Sequence, residues 1–330
     1  MSETSLSVVC PTLGRPDEVR SLLANLAAQT RLPDELILVD GAEPSDRRTE
    51  DVVREVAPSL PFPVRHERWQ RGTAIQRNRG IDLASGAFVG LIDDDIRLEP
   101  DFYRVVLDAF TQPENHDVGG ITGYITDQHL DPQKSRRWRW YRRLRLFGTY
   151  EPGRFDWATG HPINRYLQPP HETLRELDVM GAGCATWRRA VFDQGIRFAP
   201  FFADFGVLED AHLALTAGRH EWRLLEAGRA HCRHLRSQTA RVDNRRLCYK
   251  TAVNYRYVFL DIVRPRRIAQ ELGFWKVQLV DFLRLLAHAV KSPSKRAWGG
   301  VWGKVEGLMA AAFLPVPRDT PLATRARGTS

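Results

Sequence analysis

Residues 88–100 read Phe-Val-Gly-Leu-Ile-Asp-Asp-Asp-Ile-Arg-Leu-Glu-Pro, an apolar run that ends in three consecutive aspartates, Asp93, Asp94 and Asp95. Adjacent carboxylates repel and raise one another's pKa, so this ending opposes stability unless a cation is held there. The run before them is short and bounded by turn residues. It reads as a buried strand that delivers the acids at its C-terminal end.

Upstream, similar apolar runs alternate with helical patterns. Leu6–Cys10 reads as a strand closed by Pro11. Residues 16–29 place Val19, Leu22, Leu23 and Leu26 at helical spacing, with Pro16 and two acids in the first turn. Glu35–Val39 reads as a strand ending in Asp40-Gly41, residues 52–57 as part of a helix, and residues 62–67 as a strand. Residues 72–86 read as a helix stopped at Gly86. This β-α-β-α order predicts an α/β fold, a doubly wound, mostly parallel sheet flanked by helices. In such sheets ligands collect outside the carboxyl ends of the strands. Pro11, Thr12, Asp40 and Asp93–Asp95 should therefore converge on one crevice.

Downstream, a helix is expected over 101–109 and a strand over 118–125. Residues 126–176 have no clean period and are rich in Arg, Trp, Tyr and Pro; they are expected to cover the open side of the sheet with loops and short elements. Regular pattern resumes over 178–192 and 208–222. Beyond Arg264, the residues Ile268, Leu272, Trp275, Leu279, Phe282, Leu286 and Val290 fall on one helical stripe with basic residues beside it.

The chain has 330 residues, 43% hydrophobic and 27% charged, and a formal net charge of +8. That composition is globular, and the charge favours an anionic partner such as nucleotide phosphates, nucleic acid or an anionic membrane surface. Four cysteines without a C-x-x-C pair argue against a disulfide framework or zinc ribbon and suit a reducing compartment. No signal peptide or membrane-spanning run is read, so a cytoplasmic location is expected, with peripheral contact to the inner face of the plasma membrane as an extension of it.

Four blocks in this order, residues 8–15, 76–95, 181–192, and 208–219 followed by 231–237, resemble the family 2 glycosyltransferases of the GT-A fold. The resemblance covers roughly residues 6–240. It implies a catalytic domain over 1–240, with a nucleotide-sugar half (1–125) and an acceptor half (126–240). A helical basic-aromatic extension (241–314) and a disordered tail (315–330) complete the expected organisation. It further implies an Asp-x-Asp motif at Asp93 and Asp95, with Asp94 between them, binding Mg²⁺ or Mn²⁺ on the diphosphate of a nucleotide sugar of UDP, GDP or dTDP type. Hard oxygen ligands suit those ions, which commonly take one or two carboxylates plus substrate phosphates. Pro11, Thr12 and Arg15 match the loop bordering the nucleotide, Asp40 the acid contacting base or ribose, and Arg77 an arginine facing the nucleotide. Arg79 has no counterpart.

The resemblance makes Asp210 the general base of an inverting transfer, a carboxylate that takes the acceptor hydroxyl's proton. Glu209 is its neighbour shaping the acceptor site, with Gly183 and Trp187 on the acceptor side; Trp187 either stacks on a sugar or packs in the core. His234 fits a further metal-ligand position better than His231. A zinc site from His231, Cys232 and His234 is spaced too tightly.

Lys134–Gly148 interleaves arginines with Trp138, Trp140, Tyr141 and Phe147, and Trp275, Trp298 and Trp302 repeat that chemistry near the C-terminus. Two such patches favour an anionic membrane surface over nucleic acid, the alternatives being internal packing or a dimer interface. A membrane contact would suit a lipid-linked or cell-envelope glycan acceptor and a role in polysaccharide biosynthesis. The rival readings are a sugar nucleotidyltransferase, disfavoured by the single glycine in residues 11–18, and a non-enzymatic membrane- or nucleic-acid-binding module. Oligomeric state is left open.

Overall fold

A computed structural model describes residues 4–203, 206–235 and 243–317 of the chain. The first half runs β1 (Leu6–Thr12), α1 (Pro16–Ala27), β2 (Glu35–Asp40), α2 (Arg48–Val56), β3 (Val64–Arg68), α3 (Thr73–Leu83), β4 (Phe88–Ile92), β5 (Ile96–Leu98), α4 (Phe102–Thr111) and β6 (Val118–Ile125). Then follow α5 (Arg136–Arg143), β7 (Phe155–Asp156), β8 (His161–Pro162), β9 (Leu174–Leu177), β10 (Cys184–Arg188), α6 (Arg189–Asp193), α7 (Glu209–Arg219) and β11 (Arg223–His234). Three long helices close the described chain, α8 (Asn244–Ile262), α9 (Ile268–Lys291) and α10 (Lys295–Ala312).

The sheet order is β3-β2-β1-β4-β10-β6-β11-β5, with β9 also on β11. Strands β1–β4, β6 and β11 run one way; β5, β9 and β10 run against them, so the sheet is mostly parallel. Its apolar strands sort their side chains by alternation. Val8, Cys10, Leu36 and Leu38 join α1, α2 and α4 in one core, while Val9, Ile37 and Val39 join α3, α6, α7 and α8 in the other. Val19, Leu22, Leu23 and Leu26 of α1 are fully buried, each such side chain worth roughly 1.5–3 kcal/mol relative to exposure.

β1 runs through Pro11 to Thr12, beyond the end expected at Cys10. Its pairing with β4 stops at Val9, whereas its pairing with β2 continues to Thr12. Pro11 thus has a strand neighbour on one side, the edge-like setting in which a residue without an N–H is tolerated. The parallel strands β1, β2 and β4 carry Thr12, Asp40 and Asp93 at or just past their C-terminal ends, as the topology required.

The helices beyond residue 240 share the main core: Val258, Phe259, Ile262 and Phe274 lie in the same apolar cluster as Trp187 and Leu213. Elements on both sides of residue 240 therefore share one apolar cluster. Glycines let α10 close on α8, since a Cβ at Gly303 would fall 2.0 Å from the Arg245 carbonyl oxygen. The stripe read on α9 is split: Trp275, Phe282 and Leu286 are half-buried, and its other residues face outward. Ile268, Leu272, Leu279 and Val290 are 55–81% exposed, and the face that packs inward is Phe274, Val277 and Gln278. Of the tail expected to be disordered, residues 318–330 lie outside the described residues.

Candidate active site

The three aspartates after β4 point to three different partners. Asp93 Oδ1 accepts from Arg77 Nη2 at 2.7 Å. Asp94, 3% exposed, accepts from Thr12 Oγ1 at 2.8 Å and Arg15 Nη1 at 2.9 Å. Asp95 Oδ1 lies 3.2 Å from His234 Nε2. Burial pushes Asp94 up to about 6 against the pull of Arg15 and Thr12, and Asp95 and Asp93 add to the rise. A cluster of this kind gains from an added cation.

His234 reaches Asp95 because β11 pairs with β5, setting His234 opposite Ile96, the residue after Asp95. Its other ring nitrogen is 2.7 Å from Gln128 Nε2. Nδ1 thus meets the Gln128 amide, and Nε2 faces the Asp95 carboxylate. Strand alternation turns His231 to the opposite face, where its ring lies 6.4 Å from that of Tyr124.

Asp93, Asp95 and His234 are the residues whose chemistry, two hard carboxylates and an imidazole, would suit a Mg²⁺- or Mn²⁺-class ion. Among the described residues, no group of three or more His, Cys, Asp or Glu side chains gathers as a metal site. Ions that keep several waters or substrate phosphates do not require such a group.

Arg77 holds the centre. It is 3% exposed, and its second terminal nitrogen donates to Glu209 Oε1 at 3.1 Å. Burial opposes its charge, but Asp93, Glu209 and Asp210 more than offset that and raise its pKa. Asp210 follows at the first turn of α7, where the helix dipole favours an anion. Its Oδ1 accepts from its neighbour Ala211 N at 2.8 Å, and Oδ2 is 3.4 Å from Ala182 N. It lines a cavity of about 750 Å³ that runs beneath α9 and α10. Gly183 separates the two acids: its carbonyl accepts from Asp93 N, and a Cβ there would fall 2.7 Å from Asp93 Oδ2.

Residues 7–168 match the family described as Glycosyl transferase family 2. Those residues carry the sequence pattern of the family 2 glycosyltransferases. The chain is 34% identical over 110 residues to an uncharacterized glycosyltransferase of Haemophilus influenzae, a match covering 33% of this chain and 36% of that protein. It is 26% identical over 235 residues to the uncharacterized glycosyltransferase YwdF of Bacillus subtilis, 67% of this chain and 83% of that one. The chain spans about a third of the length of the first curated relatives it matches.

Its fold is that of the GT-A glycosyltransferases. The S. aureus TarS 1–349 structure in complex with UDP-GlcNAc superposes with a TM-score of 0.57 at 15% identity, covering 95% of this chain and 82% of that one. The mannosyltransferase PcManGT of Pyrobaculum calidifontis, in complex with GDP-Man and Mn²⁺, gives 0.54 at 16% identity, with 93% and 85% covered.

Several expected roles change in this structure. Trp187, in mid-sheet between Val89 and Gly120, is 1% exposed; it packs in the core and cannot meet a sugar. Glu209 is 7% exposed and turned to Arg77, away from the cavity that Asp210 lines. Asp40 has no accessible surface. Burial works against its ionisation, yet bonds from His66 and the N–H groups of Ala42 and Gly14 hold its pKa below the ordinary value. It pins the Gly14 turn (φ 60°) and so shapes the Thr12–Arg15 loop from behind. Gly183 makes room for Asp93. Arg79 lies over Trp69, 4.5 Å from its ring centroid, and pairs with Glu67 outside the crevice.

Sequence reasoning missed Gln76. Its amide donates to the Thr12 and Val39 carbonyls at 2.8 and 2.7 Å, tying the ends of β1 and β2 together. Its signal was adjacency to Arg77. Also missed was a buried relay under the cavity, in which Lys304 Nζ donates to Gln278 Oε1 at 2.7 Å and Gln278 Nε2 lies 2.9 Å from His161 Nε2.

Proposed function

We propose that this chain is a metal-dependent, inverting glycosyltransferase that moves a sugar from a nucleoside-diphosphate sugar to a hydroxyl acceptor, with Asp210 as base. The observation that carries the reading is the division of the acids by residues 181–183. Asp93–Asp95 lie on one side with their cationic partners, and Asp210 opens into the cavity on the other.

A divalent cation held by Asp93, Asp95 and His234 would neutralise the departing diphosphate. Thr12 and Arg15 fix Asp94 and border the nucleotide, with Asp40 and Gln76 bracing the loop. Asp210 accepts the proton of the acceptor hydroxyl as that oxygen bonds to the anomeric carbon. The bond to the diphosphate breaks, and its electron pair leaves with the diphosphate.

GDP-Man and UDP-GlcNAc occur in two solved structures that share this fold, so UDP- and GDP-linked donors head the panel. The family match speaks against a nucleotidyltransferase. Calorimetric titration with UDP, GDP, dTDP and CDP, each with and without Mn²⁺, is the test. Binding of one nucleotide only in the presence of metal supports the reading; binding of none by folded protein sinks it.

The same chain is proposed to work against an anionic membrane surface, with a lipid-linked or cell-envelope glycan as acceptor. No helix among the described residues is long and apolar enough to cross a bilayer. The support is the outward face of α9 and α10: Leu272, Leu279, Trp298, Trp302, Met309 and Phe313 are 40–88% exposed. Lys276, Lys291, Lys295 and Arg296 flank it, all exposed, whereas the acids Glu271, Asp281 and Glu306 are each held in ion pairs. Apolar side chains with unneutralised cations match anionic headgroups.

A further inference from the structure

We propose that the cavity between Asp210 and the α9–α10 pair takes an acceptor carrying a phosphate or carboxylate beside the hydroxyl to be glycosylated. This rests on the reading of Asp210 as the base that faces an acceptor.

The cavity, at about 750 Å³, lies within the size range of small-molecule sites, about 300–1,000 Å³. Asp210 lines it together with a group contributed by α5, α9 and α10, namely Arg137, Asp281, Arg284 and Lys304. Asp281 is the single carboxylate of that group. It accepts from Arg284 Nη2 at 2.9 Å and lies 3.2 Å from Lys304 Nζ. Arg137 donates from Nε to the Tyr141 hydroxyl at 2.9 Å and has no carboxylate partner among the described residues.

Over the whole cavity four cations, counting Arg165, which pairs with Glu226, face two acids, Asp210 and Asp281, so a positive excess lines a concave surface suited to charge-assisted bonds. Lys304 is 2% exposed and anchored by Gln278, so its ammonium is fixed in place. Arg284 and Arg137 are more exposed; Asp281 takes the Nε and Nη2 of Arg284 and Tyr141 the Nε of Arg137, which leaves Nη1 of Arg284 and the terminal nitrogens of Arg137 to meet phosphate or carboxylate oxygens. Tyr141, Trp138 and Tyr255 supply aromatic wall along the same cavity.

Catalysis places the anionic group without consuming it. The acceptor oxygen bonds to the donor's anomeric carbon, its proton passes to Asp210, and the nucleoside diphosphate leaves with the electron pair of the broken bond. The cations fix the orientation of that hydroxyl and reject a neutral glycan of the same shape.

The test uses the full chain and three probes: glucose 1-phosphate, methyl glucuronide and methyl glucoside. Ligand-observed NMR measures their affinities with and without the preferred nucleoside diphosphate and Mn²⁺, for wild type and for the Arg137→Gln/Arg284→Gln double variant. At least one anionic probe should bind about tenfold tighter than methyl glucoside, and the double variant should lose most of that advantage. The phosphate and glucuronide arms tell which anion is read. Equal affinity for all three probes, or an advantage that survives the double variant, overturns the proposal. Failure of the glycosyltransferase reading is a separate result, absence of metal-dependent nucleotide binding in the same sample. Both arginines are partly exposed, so the double variant should fold; thermal unfolding checks this.

Discussion

Arg77 and Glu209 form a buried ion pair, Nη1 to Oε1 at 3.1 Å, linking the helix after β3 to the residue just before the proposed base. The other arm of the same guanidinium holds Asp93 at 2.7 Å. One side chain thus fixes the distance between the proposed metal-binding acid and the start of α7. Glu209 is buried enough that it depends on this partner: burial, with the Asp210 charge beside it, pushes its pKa up to about 7 despite Arg77.

Arg77→Met should therefore destabilise the protein by roughly 3–5 kcal/mol, the cost of leaving a buried charge unpaired. Adding Glu209→Gln should recover part of the stability while metal-dependent nucleotide binding stays impaired, because Asp93 remains unheld. Urea unfolding and nucleotide titration of both variants separate the two effects. Full recovery of nucleotide binding in the double variant would make Arg77 a purely structural residue.

Asp95→Asn and Asp210→Asn should fail differently. Asp95→Asn weakens nucleotide binding in the presence of Mn²⁺, since a hard anionic ligand is lost. Asp210→Asn leaves that binding within about twofold but lowers transfer by roughly 10²–10⁴, the usual contribution of general base catalysis. Equal loss of binding in both would remove the basis for separate roles.

Gly183→Ala tests the crowding behind Asp93. The added Cβ would stand 2.7 Å from Asp93 Oδ2, so the carboxylate must move. The expected result is about 1–3 kcal/mol of destabilisation from overpacking and weaker metal-dependent nucleotide binding. Gly181→Ala is the control, with a 3.4 Å approach to Asp210 Oδ2 and therefore ordinary contact there.

Much of this site was legible because strand C-termini are where a doubly wound sheet gathers its chemistry: Pro11, Thr12, Asp40 and Asp93–Asp95 could be placed there from pattern, whereas His234 was reached only through the family resemblance. Sequence could not say which way a side chain turns. Glu209 and Asp210 are neighbours on α7, yet one faces Arg77 and the other the cavity. Trp187 carries the same aromatic signal whether it lines a site or fills a core, and its position opposite Val89 and Gly120 puts it in the core. The stripe on α9 has the opposite lesson: periodicity marks an amphipathic helix correctly but does not tell which face is covered. Phe274 and Gln278 docked, the latter because His161 and Lys304 satisfy its amide.

That docking depends on pH. His161 is buried and neutral, its pKa pushed down to about 4 by desolvation, partly offset by the Thr159 carbonyl; Lys304 and Arg137 push it lower and Asp281 raises it. Gln278 Nε2 donates to Nε2, so the ring proton sits on Nδ1 and is donated to the Thr159 carbonyl at 2.8 Å. In the unfolded chain this histidine binds its proton near pH 6.5. Between about pH 6.5 and 4 the unfolded state holds more protons, so this contribution to stability is complete above 6.5 and is lost as pH falls, by ~3 kcal/mol in all. Glu209 and Asp94, raised to about 7 and about 6, titrate in the opposite sense across this range. The informative quantity is therefore the difference in urea unfolding free energy between wild type and His161→Gln at pH 7 and pH 4.5. It should shift against wild type at the lower pH; a pH-independent difference would show that the ring is not held neutral.

The outward face of α9 and α10 makes the last prediction. Leu272, 66% exposed, and Trp302, 60% exposed, are not part of any core, so Leu272→Glu/Trp302→Glu should change stability by less than about 1 kcal/mol. If the face meets lipid, both side chains enter the headgroup boundary and the substitutions replace apolar contact with charges that anionic lipid repels. Wild type should co-sediment with vesicles containing phosphatidylglycerol and be released by salt, as expected when Lys276, Lys291, Lys295 and Arg296 supply the attraction. The double variant should stay in the supernatant with its thermal unfolding unchanged. Wild type that fails to pellet at low salt, while sedimenting in solution as a dimer, would assign the face to a second copy of the chain. In that case the double variant should be a monomer.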